Sequence, residues 1–133
     1  MPDENKEPVI RNKKFMQVND FRNMRWGSIM PTDIDAFLDF KNQLFVIVEL
    51  KHGGAALPFG QMLALERLCD GLTSAPSYVL IARHEHKADE DIDVSAAIVT
   101  DVRKAGVWYK TKTSITVKAA IDILINIHVS SMR

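Results

Sequence analysis

The chain has 133 residues, 47% of them hydrophobic, and its 17 Lys and Arg balance 17 Asp and Glu. That length supports one domain with its own core. The lack of net charge excludes an overall basic field, so any nucleic-acid contact has to come from a local patch. A lone cysteine, Cys69, excludes an internal disulfide framework and reads as a small buried hydrophobe in a reducing compartment.

Residues 1–14, MPDENKEPVIRNKK, carry charge where a secretory signal needs an apolar run, and Pro2 and Pro8 interrupt them. We expect a flexible N-terminal arm over 1–14 and a single domain over 15–133. No stretch approaches the roughly 18 apolar residues of a membrane span, so the expected location is the cytoplasm and no membrane partner is expected. MRWGSIM, residues 24–30, is a candidate strand.

After Pro31-Thr32 comes DIDAFLDFKNQLFVIVELK, residues 33–51. Ile34, Ala36, Leu38 and Phe40 fall on one side of a strand, and Asp33, Asp35, Phe37 and Asp39 on the other. Lys41-Asn42-Gln43 supplies a turn, and Leu44 to Lys51 is a second strand rich in Val and Ile. Two glycines, Gly53 and Gly54, then lead out of the strand. Pro58 suits a first helical turn, Phe59, Met62, Leu65, Leu68, Cys69 and Leu72 recur at helical spacing, and Gly71 is placed to cap the far end. SYVLIARH (77–84) is a third strand, 87–93 a charged loop, SAAIVTDV (95–102) a fourth strand and VWY (107–109) a short fifth. Thr113 or Ser114 can cap a last helix through ITVKAAIDILINIHV, whose Ile and Leu positions suit the core or an oligomer contact. The order predicts an α/β (α+β) fold, a mixed central sheet with flanking helices.

A three-residue hairpin loop centred on Asn42 makes paired residue numbers sum to 84, which sets Asp35 opposite Glu49 and Asp33 opposite Lys51. Like charges facing each other across a sheet destabilise it, and a divalent cation removes the conflict. Mg²⁺ takes oxygen ligands at roughly 2.0–2.1 Å and completes its octahedron with water and a substrate phosphate. Lys51 lies one pleat beyond Glu49 on the same face. Two or three acidic ligands beside an amine suit metal-assisted attack of water on a phosphodiester. The competing explanation is a set of solvated charges at strand ends.

Asp35, then thirteen residues, then Glu49-Leu50-Lys51 across a hairpin followed by a helix resembles the PD-(D/E)XK nuclease superfamily, of small restriction-endonuclease-like or phage type. The likeness covers about residues 26–85, and IDAF (34–37) is similar to the pattern of Mrr-type restriction nucleases. The resemblance implies a restriction-endonuclease-like sheet and DNA hydrolysis to a 5′-phosphate and a 3′-hydroxyl. It implies Mg²⁺ or Mn²⁺ as cofactor, Asp35 as first ligand, Glu49 as second, the Leu50 carbonyl as a further one and Lys51 as the catalytic lysine. Pro31 stands two residues before Asp33, and the doublet leaves Asp33 in an assisting role. Of N-terminal acids only Glu7 suits the glutamate that many members add. Gln61 matches a glutamine that several branches place on the helix after the Glu-x-Lys, and capping the helix start is its alternative role. With no recognition domain, specificity falls to DNA structure or ends, to a protein partner, or to a homodimer. RNA is not separated from DNA by the sequence, and such enzymes are frequent in phages, which act in the host cytoplasm. The rival reading is an inactive module of the same fold that binds nucleic acid or inhibits a protein.

His84 and His86 share a strand face but lack a third ligand at known spacing, and His52 points opposite to Lys51; all three read as polar strand ends. Basic residues cluster twice: Arg11, Lys13, Lys14, Arg22 and Arg25, and later Arg103, Lys104, Lys110 and Lys112 beside Trp108 and Tyr109. Either cluster can contact phosphates or be ordinary solvated surface.

Overall fold

The computed structural model describes residues 18–130. The expected arm over 1–14 and its boundary, with Glu7, Arg11, Lys13 and Lys14, lie outside them. The chain divides into two units, 1–31 and 32–133.

In the first unit the expected strand over 24–30 is not formed. Trp26 and Ile29 instead exchange both backbone hydrogen bonds, at 2.9 and 3.0 Å, around Gly27 and Ser28. Gly27 takes φ +64°, a conformation that suits glycine, and so reverses the chain in the middle of the segment. Asp20 binds Arg22 through both carboxylate oxygens, at 2.7–3.0 Å.

The second unit runs β1 (Ala36–Asp39), β2 (Phe45–His52), α1 (Phe59–Gly71), β3 (Ser77–His84), a single 3-10 turn at Val94–Ala96, β4 (Ile98–Lys104), β5 (Val107–Lys110) and α2 (Val117–His128). The strands form one sheet in sequence order. β2 and β3 are parallel, joined by the α1 crossover, while the other neighbours are antiparallel. The expected mixed sheet with helices is therefore present.

The hairpin register is the expected one: Ala36 faces Val48 and Asp39 faces Phe45, both pairs summing to 84. Its turn is closed by Gln43 N–H on the Phe40 carbonyl at 3.0 Å and Phe40 N–H on that of Leu44 at 2.9 Å. Lys41 and Asn42 both take left-handed backbone, φ 56° and 59°, the twist that tight hairpins favour. Asp39 steadies the turn by accepting from the Asn42 N–H at 2.9 Å.

Strand parity makes two cores. Val46 and Val48 of β2, Leu80 and Ala82 of β3 and Val99 of β4 pack with Val117 and Ile121 of α2. On the opposite face Ile47, Val79 and Ile81 pack with Leu65 and Cys69 of α1. β2 and β3 are thus buried on both sides over most of their length, as their near-continuous apolar composition requires. Cys69 is buried as expected, and desolvation pushes its thiol pKa up to about 11, with Asp70 adding to the shift. Among the described residues no helix is long and apolar enough to cross a membrane.

Three boundaries differ from expectation. Gly71 does not cap α1: it is the last helical residue, and the Leu72 N–H ends the helix on the Leu68 and Cys69 carbonyls at 3.2 and 3.3 Å. Ser95 and Ala96 belong to the 3-10 turn, because Asp93 accepts from both the Ser95 N–H and its hydroxyl, at 3.1 and 2.6 Å. Thr116, rather than Thr113 or Ser114, caps α2, accepting from the Ala119 N–H at 3.1 Å. Here tertiary pairing overrides local signals. The Val99 N–H bonds to the Ile115 carbonyl and the Val117 N–H to that of Ala97, both at 2.9 Å, so the β-branched Ile115 and Thr116 stay extended beside β4 before the helix begins.

Candidate active site

β2 carries Ile47, Glu49 and Lys51 on the face covered by α1. Glu49 is only 3% exposed. Asp35 stands one residue ahead of the first ladder pair, Ala36 with Val48, so continuing the register sets it across from Glu49. Its Oδ2 accepts from the Leu50 N–H at 2.7 Å, and a side chain thus closes the open end of the hairpin. In a strand the N–H and C=O of one residue point the same way, so the Leu50 carbonyl faces this same end.

α1 supplies the fourth group. Gln61, in its first turn, donates from Nε2 to Glu49 Oε1 at 2.8 Å. Its own Oε1 accepts from Lys51 Nζ at 3.1 Å, and that Nζ lies 3.6 Å from Glu49 Oε1. Glu49, Gln61 and Lys51 therefore form a closed ring of contacts. Gln61 stands four residues before Leu65, which packs on the sheet, so it faces the sheet too, and the alternative role as a helix cap is not the one it takes: α1 starts with no side-chain cap.

One atom is left over. Glu49 Oε2 is buried and accepts no hydrogen bond. Burial pushes the Glu49 pKa above the usual carboxylate range and the Asp35 charge pushes it further, while Lys51 and Gln61 pull the other way. A buried acceptor without a donor, beside a second carboxylate, is a place of negative potential that a cation relieves.

No family model, curated protein or solved structure matches this chain.

Asp33 does not join the group as expected. The ladder stops at Ala36, so Asp33 is not paired opposite Lys51 but exposed, and the lysine turns to Gln61 and Glu49. Among the described residues no three His, Cys, Asp or Glu side chains converge as a metal cage, so the acidic set here is two carboxylates. The histidines do gather: the His52 and His84 rings lie 5.3 Å apart, those of His84 and His86 5.6 Å apart, and the His86 N–H donates to His84 Nδ1 at 3.2 Å.

The later basic cluster is largely neutralised within the fold. Arg103 is 8% exposed, binds Asp70 at 2.6 and 3.0 Å, sits 3.7 Å from Glu66 and lies over the Trp108 ring. Lys110 pairs with Asp101 at 2.8 Å, and Lys104 lies over Tyr109. The Trp108 indole N–H is itself held by Glu66 at 2.6 Å. Of the two roles open to this cluster, the fold gives Arg103 and Lys110 internal partners, the α1 acids and Asp101, and sets Lys104 against Tyr109.

Arg83, beside Lys51 in the parallel register, escaped the sequence reading. Its Nη1 donates to the carbonyls of Gly53 and Ala55, at 3.0 and 2.6 Å, and so fixes the glycine exit from which α1 carries Gln61 back over Glu49. Strand parity could have found it, because it shares a face with Ile81.

Proposed function

We propose that the chain is a metal-dependent nuclease that hydrolyses DNA phosphodiester bonds, on a restriction-endonuclease-like sheet of the kind the Glu-x-Lys hairpin resembles. The observation that carries this reading is the orphaned, buried Glu49 Oε2 in a ring with Lys51 and Gln61 and across from Asp35. A structural salt bridge leaves no acceptor unpaired, whereas a ligand site keeps one for its ligand.

The donor set fits a hard divalent cation: carboxylate oxygens of Asp35 and Glu49 and the Leu50 carbonyl, all oxygen. Mg²⁺ or Mn²⁺ held there supplies charge that polarises a phosphate oxygen and acidifies water. The protein's own part is positional and electrostatic. Lys51 presents an amine beside the carboxylates, where it offsets charge developing on the phosphate and orients the attacking water. Gln61 holds that amine by its Oε1 and Glu49 by its Nε2, which keeps both in place before substrate arrives. A single chain has one such site and cuts one strand; two cuts need two copies, in a homodimer or in succession.

The test is cleavage of labelled linear, nicked, branched and single-stranded DNA, with an RNA arm, with and without Mg²⁺. Wild type should cut one of these only with the metal, and Asp35→Ala and Lys51→Ala should each abolish it. Activity that survives both substitutions overturns the assignment. A second reading, an inactive module that binds nucleic acid or inhibits a protein, draws on the zero net charge and the internal neutralisation of Arg103 and Lys110. Failure to cut any substrate while binding one supports it.

A further inference from the structure

A cleft of about 170 Å³ opens on the same face of the sheet, lined by Met62, which follows Gln61, and by Ile81 and Arg83, the register partners of Glu49 and Lys51. Register places it. Glu49 pairs with Ile81, Ile81 with Asp101 and Asp101 with Lys110, so one row of side chains crosses from the carboxylates to β5. Adjacent strands lie about 4.8 Å apart, which sets Asp101 two strands, roughly 10 Å, from Glu49. That is the reach from a phosphate to the base of an adjoining nucleotide.

Size and lining narrow the occupant. The volume lies well below the roughly 300 Å³ at which pockets begin to take drug-sized molecules, so the cleft suits a single ring system. Leu57 and Met62 on the α1 side, Ile81 below and Trp108 form apolar walls. Arg83 and Lys110 stand at the rim and Asp101 supplies an acceptor. A carboxylate has about four lone-pair sites, and Asp101 uses one oxygen for Lys110 and the other for the Thr100 hydroxyl, each at 2.8 Å, so acceptor capacity remains. Burial pushes this carboxyl's pKa up, but Lys110, Thr100 and Arg83 together hold it below its usual value, so it stays ionised. A fixed negative charge repels a phosphate but accepts N–H donors. Guanine alone among the DNA bases offers two adjacent N–H donors on one edge.

Resting on the nuclease reading, we infer that this cleft binds one base of the substrate, guanine in preference, unstacked beside the phosphate to be cut. Such a base leaves its stack at a modest energetic cost and is recognised by its hydrogen-bonding edge within apolar walls. The pocket would thus give the enzyme a preference for guanine near the cut, with no separate recognition domain.

The experiment measures binding without metal, so that it does not depend on catalysis. In a Trp26→Phe protein Trp108 is the sole indole. Its fluorescence is followed during titration with deoxyguanosine, deoxyadenosine, deoxycytidine, thymidine and inorganic phosphate. Deoxyguanosine should give a saturable change. Asp101→Asn should weaken it about tenfold, the order of one paired base contact. Met62→Phe, narrowing the cleft from the helix side, should give a loss comparable to Asp101→Asn without touching the carboxylate. A response to phosphate but to no nucleoside, or indifference to both Asp101→Asn and Met62→Phe, overturns the inference. Mg²⁺-dependent cleavage with no nucleoside response refutes the base pocket alone; nucleoside binding with no cleavage refutes the nuclease reading alone.

Discussion

Glu49→Gln should make the protein more stable and inactive. In the wild type Glu49 is 3% exposed, and its Oε2 has no donor. An unsatisfied buried acceptor costs about 1–3 kcal/mol, more when charged, and Asp35 adds repulsion. The substitution removes the charge and keeps an acceptor for the Gln61 N–H now at 2.8 Å. It gives up the Lys51 pair, a long contact at 3.6 Å whose amine keeps Gln61 Oε1, and this loss offsets part of the gain. The new amide leaves a neutral N–H buried where Oε2 was, which limits the gain to about 1–2 kcal/mol. For a chain of this size that is a rise in Tm of roughly 3–10 °C. The gain depends on pH. Because the folded Glu49 pKa is raised above its ordinary 4.5, the wild type has its full stability below that value and loses some as pH rises from it through the folded pKa. The two proteins should therefore match in acid and diverge above it. Mg²⁺ should close the gap at neutral pH, since a cation at a hundred times its Kd adds about 2.7 kcal/mol to the protein that binds it and nothing to the variant. Urea unfolding at several pH values, with and without Mg²⁺, measures all of this. A variant less stable than wild type at pH 7, or equal stabilisation of both by Mg²⁺, would refute the claim that Oε2 awaits a ligand.

Asp35→Asn keeps an acceptor for the Leu50 N–H and should change stability by less than about 0.5 kcal/mol, whereas Asp35→Ala should lose about 1 kcal/mol; both should abolish cleavage. With either, NMR titration should find the Glu49 pKa moved down toward its ordinary value, since Asp35 helps to raise it. Gln61→Ala should move that pKa up and lower the cleavage rate about 10–100-fold by releasing Lys51, without changing which substrates bind. Arg103→Met should cost about 1–3 kcal/mol, the modest value reflecting a half-exposed Asp70, yet leave the salt dependence of DNA binding unchanged. Arg103 holds the Asp70 carboxyl below its ordinary 3.8, a stabilisation present above that pH and lost as pH falls through the lower folded pKa, so this variant should flatten the acid limb of the stability profile.

The hairpin was legible because three independent signals agree on one register: alternation over 33–40, a turn at 41–43 and an unbroken Val and Ile strand after it. From that register the neighbourhood of Asp35 and Glu49 follows by counting, and a 3.6-residue stripe brings Gln61 to the same face. What a count does not supply is where a ladder ends. Counting alone pairs Asp33 with Lys51, but the strands part after Ala36 and a side chain takes over the next bond. Thr116 was passed over as a cap since its extended conformation is imposed by β4, far away in sequence. Arg103 read as available charge because its partners, Glu66 and Asp70, sit one turn apart on α1 and reach it only once that helix packs on the sheet. In the 24–30 segment Met24, Trp26, Ile29 and Met30 allow a strand, and the backbone freedom of Gly27 gives a reversal instead.

The Leu50 N–H, bonded to a carboxylate instead of to a neighbouring strand, has a practical meaning. An ion bound by Asp35 draws charge from the carboxylate that accepts this amide and so weakens its hydrogen bond. The exchange of its proton for deuterium is thus a native sensor of occupancy, readable without a dye, a label or turnover.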